Sequence, residues 1–122
     1  MSIRFFLVAF FASLLCAFAA PLEIENRSSH SGRGTWFTPG LGNCGKHNKS
    51  TDMIVALPTK DYAGGSHCEK MIHITSGGKT HSAKVVDRCP DCSEGDLDMS
   101  ESLFKEFASL GKGEIKVSWY FQ

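Results

Sequence analysis

Four cysteines, Cys44, Cys68, Cys89 and Cys92, lie in the roughly 100 residues that follow an apolar leader, and this limits what the chain can fold into. A domain of that size buries a modest core and commonly needs covalent help. The leader reads as a signal peptide over residues 1–19. Arg4 is its positive end, residues 5–18 its apolar run, and Ala17-Phe18-Ala19 a small-x-small cleavage site. That run is short of the ~20 residues that span a bilayer. Its removal takes Cys16 with it and leaves an even set, which in a secreted chain implies two disulfides with three possible pairings. Removal of Arg4 also leaves twelve basic side chains against thirteen acidic ones. A net charge near zero argues against nucleic acid and against an anionic membrane surface as partners. The expected product is extracellular and monomeric.

Residues 20–33 are polar and aperiodic and read as a flexible N-terminal tail, with a single domain over 34–122. From Gly34 onward, short strand patterns alternate with turn signals, as in a small β-barrel. Thr35-Trp36-Phe37-Thr38 is β-rich and ends at Pro39-Gly40. Met53-Ile54-Val55-Ala56-Leu57 is an apolar run closed by Pro58, consistent with a strand buried on both faces. Residues 70–75 and 81–86 flank Ser76-Gly77-Gly78-Lys79, a hairpin signature. Ser100 is a good N-cap for a helix that ends near Gly111, with Leu103, Phe104, Phe107, Ala108 and Leu110 as its core stripe. Ile115, Val117 and Trp119 alternate with polar neighbours as a final strand.

The densest group of chemistry-bearing residues is Val85-Val86-Asp87-Arg88-Cys89-Pro90-Asp91-Cys92, followed by Gly95-Asp96-Leu97-Asp98-Met99-Ser100. Asp87 ends an apolar strand and Asp98 sits at the mouth of a helix. Two carboxylates on converging rims suit a polar groove, although an acid near a helix start serves equally well as a cap or dipole partner. Cys-Pro-Asp-Cys has the spacing of a redox pair but lacks the βαβ setting, and a zinc site with His67 would need reduced thiols. His67, His73 and His81 read as solvated or locally hydrogen-bonded. Trp36 is either a sugar-stacking face or a core position, and Trp119 reads as core. Tyr62, with Gly64 and Gly65, marks a loop expected to edge the groove. Asn26-Arg27-Ser28 and Asn48-Lys49-Ser50 are glycan acceptors if the chain passes through an endoplasmic reticulum. No dinucleotide fingerprint occurs, and neither cofactor nor metal is expected.

Six blocks then stand in a telling order. They are Gly34-Thr35-Trp36-Phe37, Asn43-Cys44-Gly45, Val55-Ala56-Leu57, His67-Cys68-Glu69-Lys70-Met71-Ile72, Val85-Val86-Asp87-Arg88-Cys89 and Leu97-Asp98-Met99-Ser100. Together, over roughly residues 34–121, they resemble the RlpA-like double-psi β-barrels. This superfamily holds barwin, the expansin N-terminal domain and family-45-type endoglucanases. The chain also resembles the small single-domain secreted fungal proteins that are similar to kiwellin. The resemblance implies a mainly β fold, a six-stranded double-psi barrel with one or two short helices and two disulfides. It also implies an open groove that takes cell-wall polysaccharide, peptidoglycan or a protein partner. Asp98 matches the acid that serves as general acid in the related endoglucanases, Asp87 a second groove acid, and Thr35, Trp36 and Phe37 the Thr-Trp-Tyr block lining the expansin groove. By the barwin pattern Cys44 pairs with Cys68. The barwin partner of Cys89 has no counterpart here, which leaves Cys89 with Cys92.

The departures bear on function. Thr38 stands where the endoglucanases carry their basic aspartate, and Asp96 where expansins carry a histidine. An inverting glycosidase needs two carboxyls about 6.5–9.5 Å apart with water between them. Asp87 could occupy that place, yet the family does not use it as the base. The leading expectation is therefore a secreted, non-catalytic groove-binding protein. The alternatives are a lytic-transglycosylase-like enzyme with Asp98 as its acid, and a cysteine-protease inhibitor or effector. Some fungal relatives are also labelled riboflavin-aldehyde-forming enzymes, and no flavin-oxidising feature occurs in this chain to support that label.

Overall fold

The computed structural model describes residues 28–122; the expected leader, most of the expected tail and the Asn26 sequon lie outside them. Six strands, β1 (His30–Phe37), β2 (Ile54–Pro58), β3 (Met71–Ser76), β4 (Lys79–Cys89), β5 (Leu97–Ser100) and β6 (Ile115–Phe121), close into a barrel in the order β1-β5-β2-β4-β3-β6. β1 runs parallel to β5 and β2 parallel to β4, and the other contacts are antiparallel. Among the described residues, closure gives every strand two neighbours and leaves no free edge. Two short helices, α1 (Thr59–Tyr62) and α2 (Glu101–Lys105), sit on the connections. Alternation along the strands sends Val55, Leu57, Ile72, Ile74, Val85, Leu97, Met99, Val117 and Trp119 into one core, closed by Leu103 and Phe104 of α2.

Most expected elements occur where the sequence places them. β2 is buried along its whole length. Gly77 and Gly78 join β3 to β4 with φ of 57° and 82°, the left-handed pair that a two-residue hairpin requires. The sulfurs pair as Cys44–Cys68 and Cys89–Cys92.

Two boundaries differ. The stretch expected as tail already carries β1, which starts at His30 and pairs with β6 from His30↔Trp119 to Gly34↔Ile115. Its inward positions are Gly32 and Gly34, where a methyl group would strike Asp96 and Gly95, or Met99 and Val117. Strand-forming residues with no side chain are silent in a hydrophobicity pattern. The expected helix is also shorter. The Ser100 hydroxyl accepts from Leu103 N at 3.2 Å, as a cap should, but α2 ends at Lys105. Phe107, Ala108 and Leu110 pack against the core from turns that follow, and Gly111 lies inside a short 3-10 turn, Leu110–Lys112.

Candidate functional site

Strand pairing brings the two acids together. Thr35 of β1 registers with Asp98 of β5, Asp98 with Ala56 of β2, and Ala56 with Asp87 of β4. Residues in register share a face of a sheet, and the flanking Leu97, Met99, Val55 and Leu57 are all in the core. Thr35, Asp98 and Asp87 therefore form one line on the outer surface, with the Ala56 methyl as the floor between the acids. Two strand spacings put the Asp98 and Asp87 backbones about 10 Å apart.

The two carboxylates are held differently. The Thr35 hydroxyl donates to Asp98 Oδ1 at 2.9 Å. Burial pushes the Asp98 carboxyl above the ordinary range, the Thr35 bond pulls it partly back, and the charge of Asp87 adds to the rise. Asp87 accepts from the amides of Asn43 and Arg88, both at 2.8 Å. Asn43, which the sequence offers in the Asn43-Cys44-Gly45 block but not as a site residue, is set by its loop: Cys44 N donates to Val86 O at 3.1 Å, and Asn43 Nδ2 donates to the Tyr62 hydroxyl at 3.2 Å.

Beyond Asp98 the surface dips into a recess of about 260 Å3, lined by Arg33, Thr35, Asp91, Asp96 and the Cys89–Cys92 bridge. Asp96 builds its wall. It is buried, yet it accepts from the amides of Arg33 and Ser93 at 2.9 Å each and from Arg33 Nη2 at 3.1 Å. Although burial opposes it, these donors hold the Asp96 carboxyl below the usual carboxylate range. A lowered pKa contributes stability that is present above the unfolded-state value and is lost as pH falls through the folded one. Asp98, raised, works in the opposite sense: its folded-state preference for the proton stabilises below the unfolded value and fades as pH rises through the folded one. Asp96→Asn is accordingly expected to cost about 1–3 kcal/mol at neutral pH, with the deficit closing as the solution is acidified. Urea titrations of both proteins across that range measure it, and a pH-independent deficit would contradict the assignment.

Other candidates stand elsewhere. Trp36 follows Thr35 and so takes the opposite side of β1, in register with buried Met99. Its Nε1 donates to Leu110 O at 3.0 Å, which ties the half-exposed indole to the barrel end. Phe37, in register with Ser100, returns to the side of Thr35. Tyr62 does not edge the groove: its ring is buried in the core and its hydroxyl lies 3.4 Å from Cys68 Sγ. It reaches the site only through Asn43. The Thr38 hydroxyl donates to Glu101 Oε2 at 2.8 Å. His67 Nδ1 lies 2.7 Å from Asp61 O, His73 Nδ1 lies 3.2 Å from the Ser82 hydroxyl, and His81 Nε2 lies 3.5 Å from Glu106. Among the described residues no helix is long and apolar enough to cross a membrane.

Comparison with known proteins follows the same lines. The model of the family described as lytic transglycolase matches residues 29–119. Kiwellin of Actinidia chinensis var. chinensis is 35% identical over 118 residues, covering 83% of this chain and 54% of its own. The expansin of Clavibacter michiganensis, solved as an aspartate-to-asparagine variant in complex with cellohexaose, superposes with a TM-score of 0.72 at 26% identity, over 78% of this chain and 50% of that one. The Streptomyces papain inhibitor superposes with a TM-score of 0.71 at 25% identity, over 77% of this chain and 94% of that one. The chain spans only 30–54% of the length of the first curated relatives it matches.

Proposed function

This chain belongs to the lytic transglycolase family of double-psi β-barrels, and from that premise we propose that it is a secreted, non-catalytic protein whose acidic face binds an extended cell-wall polysaccharide. The observation that carries the reading is the Thr35–Asp98–Ala56–Asp87 line across four strands. Carboxylate oxygens accept from sugar hydroxyls, and the small floor lets a flat chain pass between them. The cellohexaose held by the expansin relative supports this ligand class. The reading stays non-catalytic because Thr38, which stands in the place of a basic aspartate, is turned to Glu101, while both amides on Asp87 end on Oδ1 and leave Oδ2 to accept from a sugar. Asp98 alone, its pKa raised, is half of an acid–base pair.

Asp98→Asn tests the reading, since it keeps the shape and the acceptor for Thr35 while removing the charge. Titrated with cello-, chito- and peptidoglycan oligomers, the variant is expected to lose affinity tenfold or more, about 1.4 kcal/mol, for whichever oligomer the parent binds. Its melting temperature at neutral pH should be equal to or above the parent's, because a carboxylate whose charge the fold disfavours has been removed. Product release by the parent but not by the variant would replace binding with the lytic reading. No affinity for any oligomer would overturn the glycan reading altogether.

One observation favours a second reading, a cysteine-protease inhibitor: the superposition takes in 94% of the papain inhibitor structure but only half of the expansin. Papain inhibition by the parent, unchanged in Asp98→Asn, would select it.

A further inference from the structure

Two of the large apolar side chains left exposed, Met53 and Met71, share one shallow recess of about 480 Å3, and Asn48 stands on its rim. Strand pairing dictates that meeting. Met53 precedes β2 and its carbonyl accepts from Lys84 N at 3.1 Å, while Met71 registers with the same Lys84 from β3. Lys84 also lines the recess, its ammonium 3.7 Å from Glu69 Oε1, and Met53 and Met71 stay exposed beside it. Asn48 opens the tripeptide Asn48-Lys49-Ser50 on a pinned turn. Its amide donates to Gly40 O at 2.9 Å, and Lys49 N donates to Asp52 Oδ2 at 2.8 Å. Its half-exposed side chain makes one long bond, from Nδ2 to Lys46 O at 3.3 Å.

From this juxtaposition we infer that Asn48 carries an N-linked glycan whose first sugar lies over Met53 and Met71. In the attachment, the Asn48 amide nitrogen bonds to the anomeric carbon of an N-acetylglucosamine on a lipid pyrophosphate-linked oligosaccharide donor. The bond from that carbon to the pyrophosphate oxygen breaks, the lipid pyrophosphate leaves, and the nitrogen gives up one proton. The sugar offers a C–H face and an acetyl methyl to the soft, adaptable thioethers and its hydroxyls to water. An adhesive apolar patch thus becomes a hydrated one. The inference shares the secretory premise of the groove reading but not its ligand, so either can fail without the other.

The test is secretion of the full chain from a eukaryotic host, with mass mapping of the Asn48 peptide and dilute peroxide as the probe. A glycan is expected on Asn48. Sulfoxide should form at Met53 and Met71 at least about threefold more slowly in the glycosylated protein than after complete glycan removal or in Asn48→Gln. Trimming to a single N-acetylglucosamine should retain most of the protection, and fully buried Met99 should react slowly throughout, certifying the fold. An unmodified Asn48 overturns the inference. So does a glycosylated form whose two methionines oxidise as fast as the stripped one.

Discussion

Gly95→Ala is expected to lower stability by about 4 kcal/mol or more, an exceptional cost for one methyl group. Gly95 has a φ of +91°, and an added Cβ would collide with the backbone carbonyl of Ser31, a group with no freedom to swing aside. Its backbone is also engaged at both ends. Gly95 N donates to buried Asp61 Oδ2 at 2.9 Å, and Gly95 O accepts from Trp119 Nε1 at 2.9 Å. Moving the loop to relieve the collision would break both bonds and strand two buried polar groups, Asp61 Oδ2 and the Trp119 indole N–H, each costing about 1–3 kcal/mol. Backbone strain adds about 1–3 kcal/mol. Gly113→Ala is the control, because its φ of +75° carries strain while open space surrounds its missing Cβ. Urea midpoints of the two variants decide the matter. A Gly95→Ala cost no larger than that of Gly113→Ala would show that the Ser31 contact is not binding.

The second large effect is expected from Cys44→Ser with Cys68→Ser. That bridge closes a separation of 24 residues, worth about 3 kcal/mol in restricted unfolded-chain freedom. In a domain of this size such a loss corresponds to a fall of about 15 °C in melting temperature. The bridge also backs Tyr62, whose hydroxyl meets Cys68 Sγ and Asn43 Nδ2, and Asn43 in turn holds Asp87. Binding should therefore weaken even where the variant is fully folded. Removing Cys89–Cys92, which spans only three residues, should cost less stability. Calorimetry on both pairs checks the order, and an equal or larger loss from the shorter bridge would refute it.

Much of this was legible in the residues, and the gaps have physical causes. The strands of β2, the β3–β4 hairpin and β6 announce themselves because apolar periodicity and a Gly-Gly turn are local properties. The start of β1 was hidden because its inward positions, Gly32 and Gly34, have no side chain to register. The length of α2 was overstated because a stripe of apolar residues looks the same on a helix as on turns packed against the same core. Tyr62 was misplaced beside two loop glycines, since nothing local reveals that its hydroxyl meets a disulfide formed 18 residues upstream and 6 downstream. Asn43 meets Asp87 through its backbone amide, which every residue possesses, and its side chain meets Tyr62 only once the barrel has closed, so residue type alone does not mark it.

The amino-acid order alone carried the chemistry of the acids and an even set of four sulfurs with three pairings open, because residue type and cysteine count are written in one dimension. The barrel class and the pairing Cys44–Cys68 and Cys89–Cys92 came from the resemblance that the order of the blocks carries. Only the tertiary structure decided that Asp98 and Asp87 share a face, that Trp36 lies across the strand from them, and that one acid is raised while its neighbour Asp96 is lowered. Those outcomes depend on register and burial. Both arise only when strands distant in the chain close into a barrel and withdraw particular atoms from water.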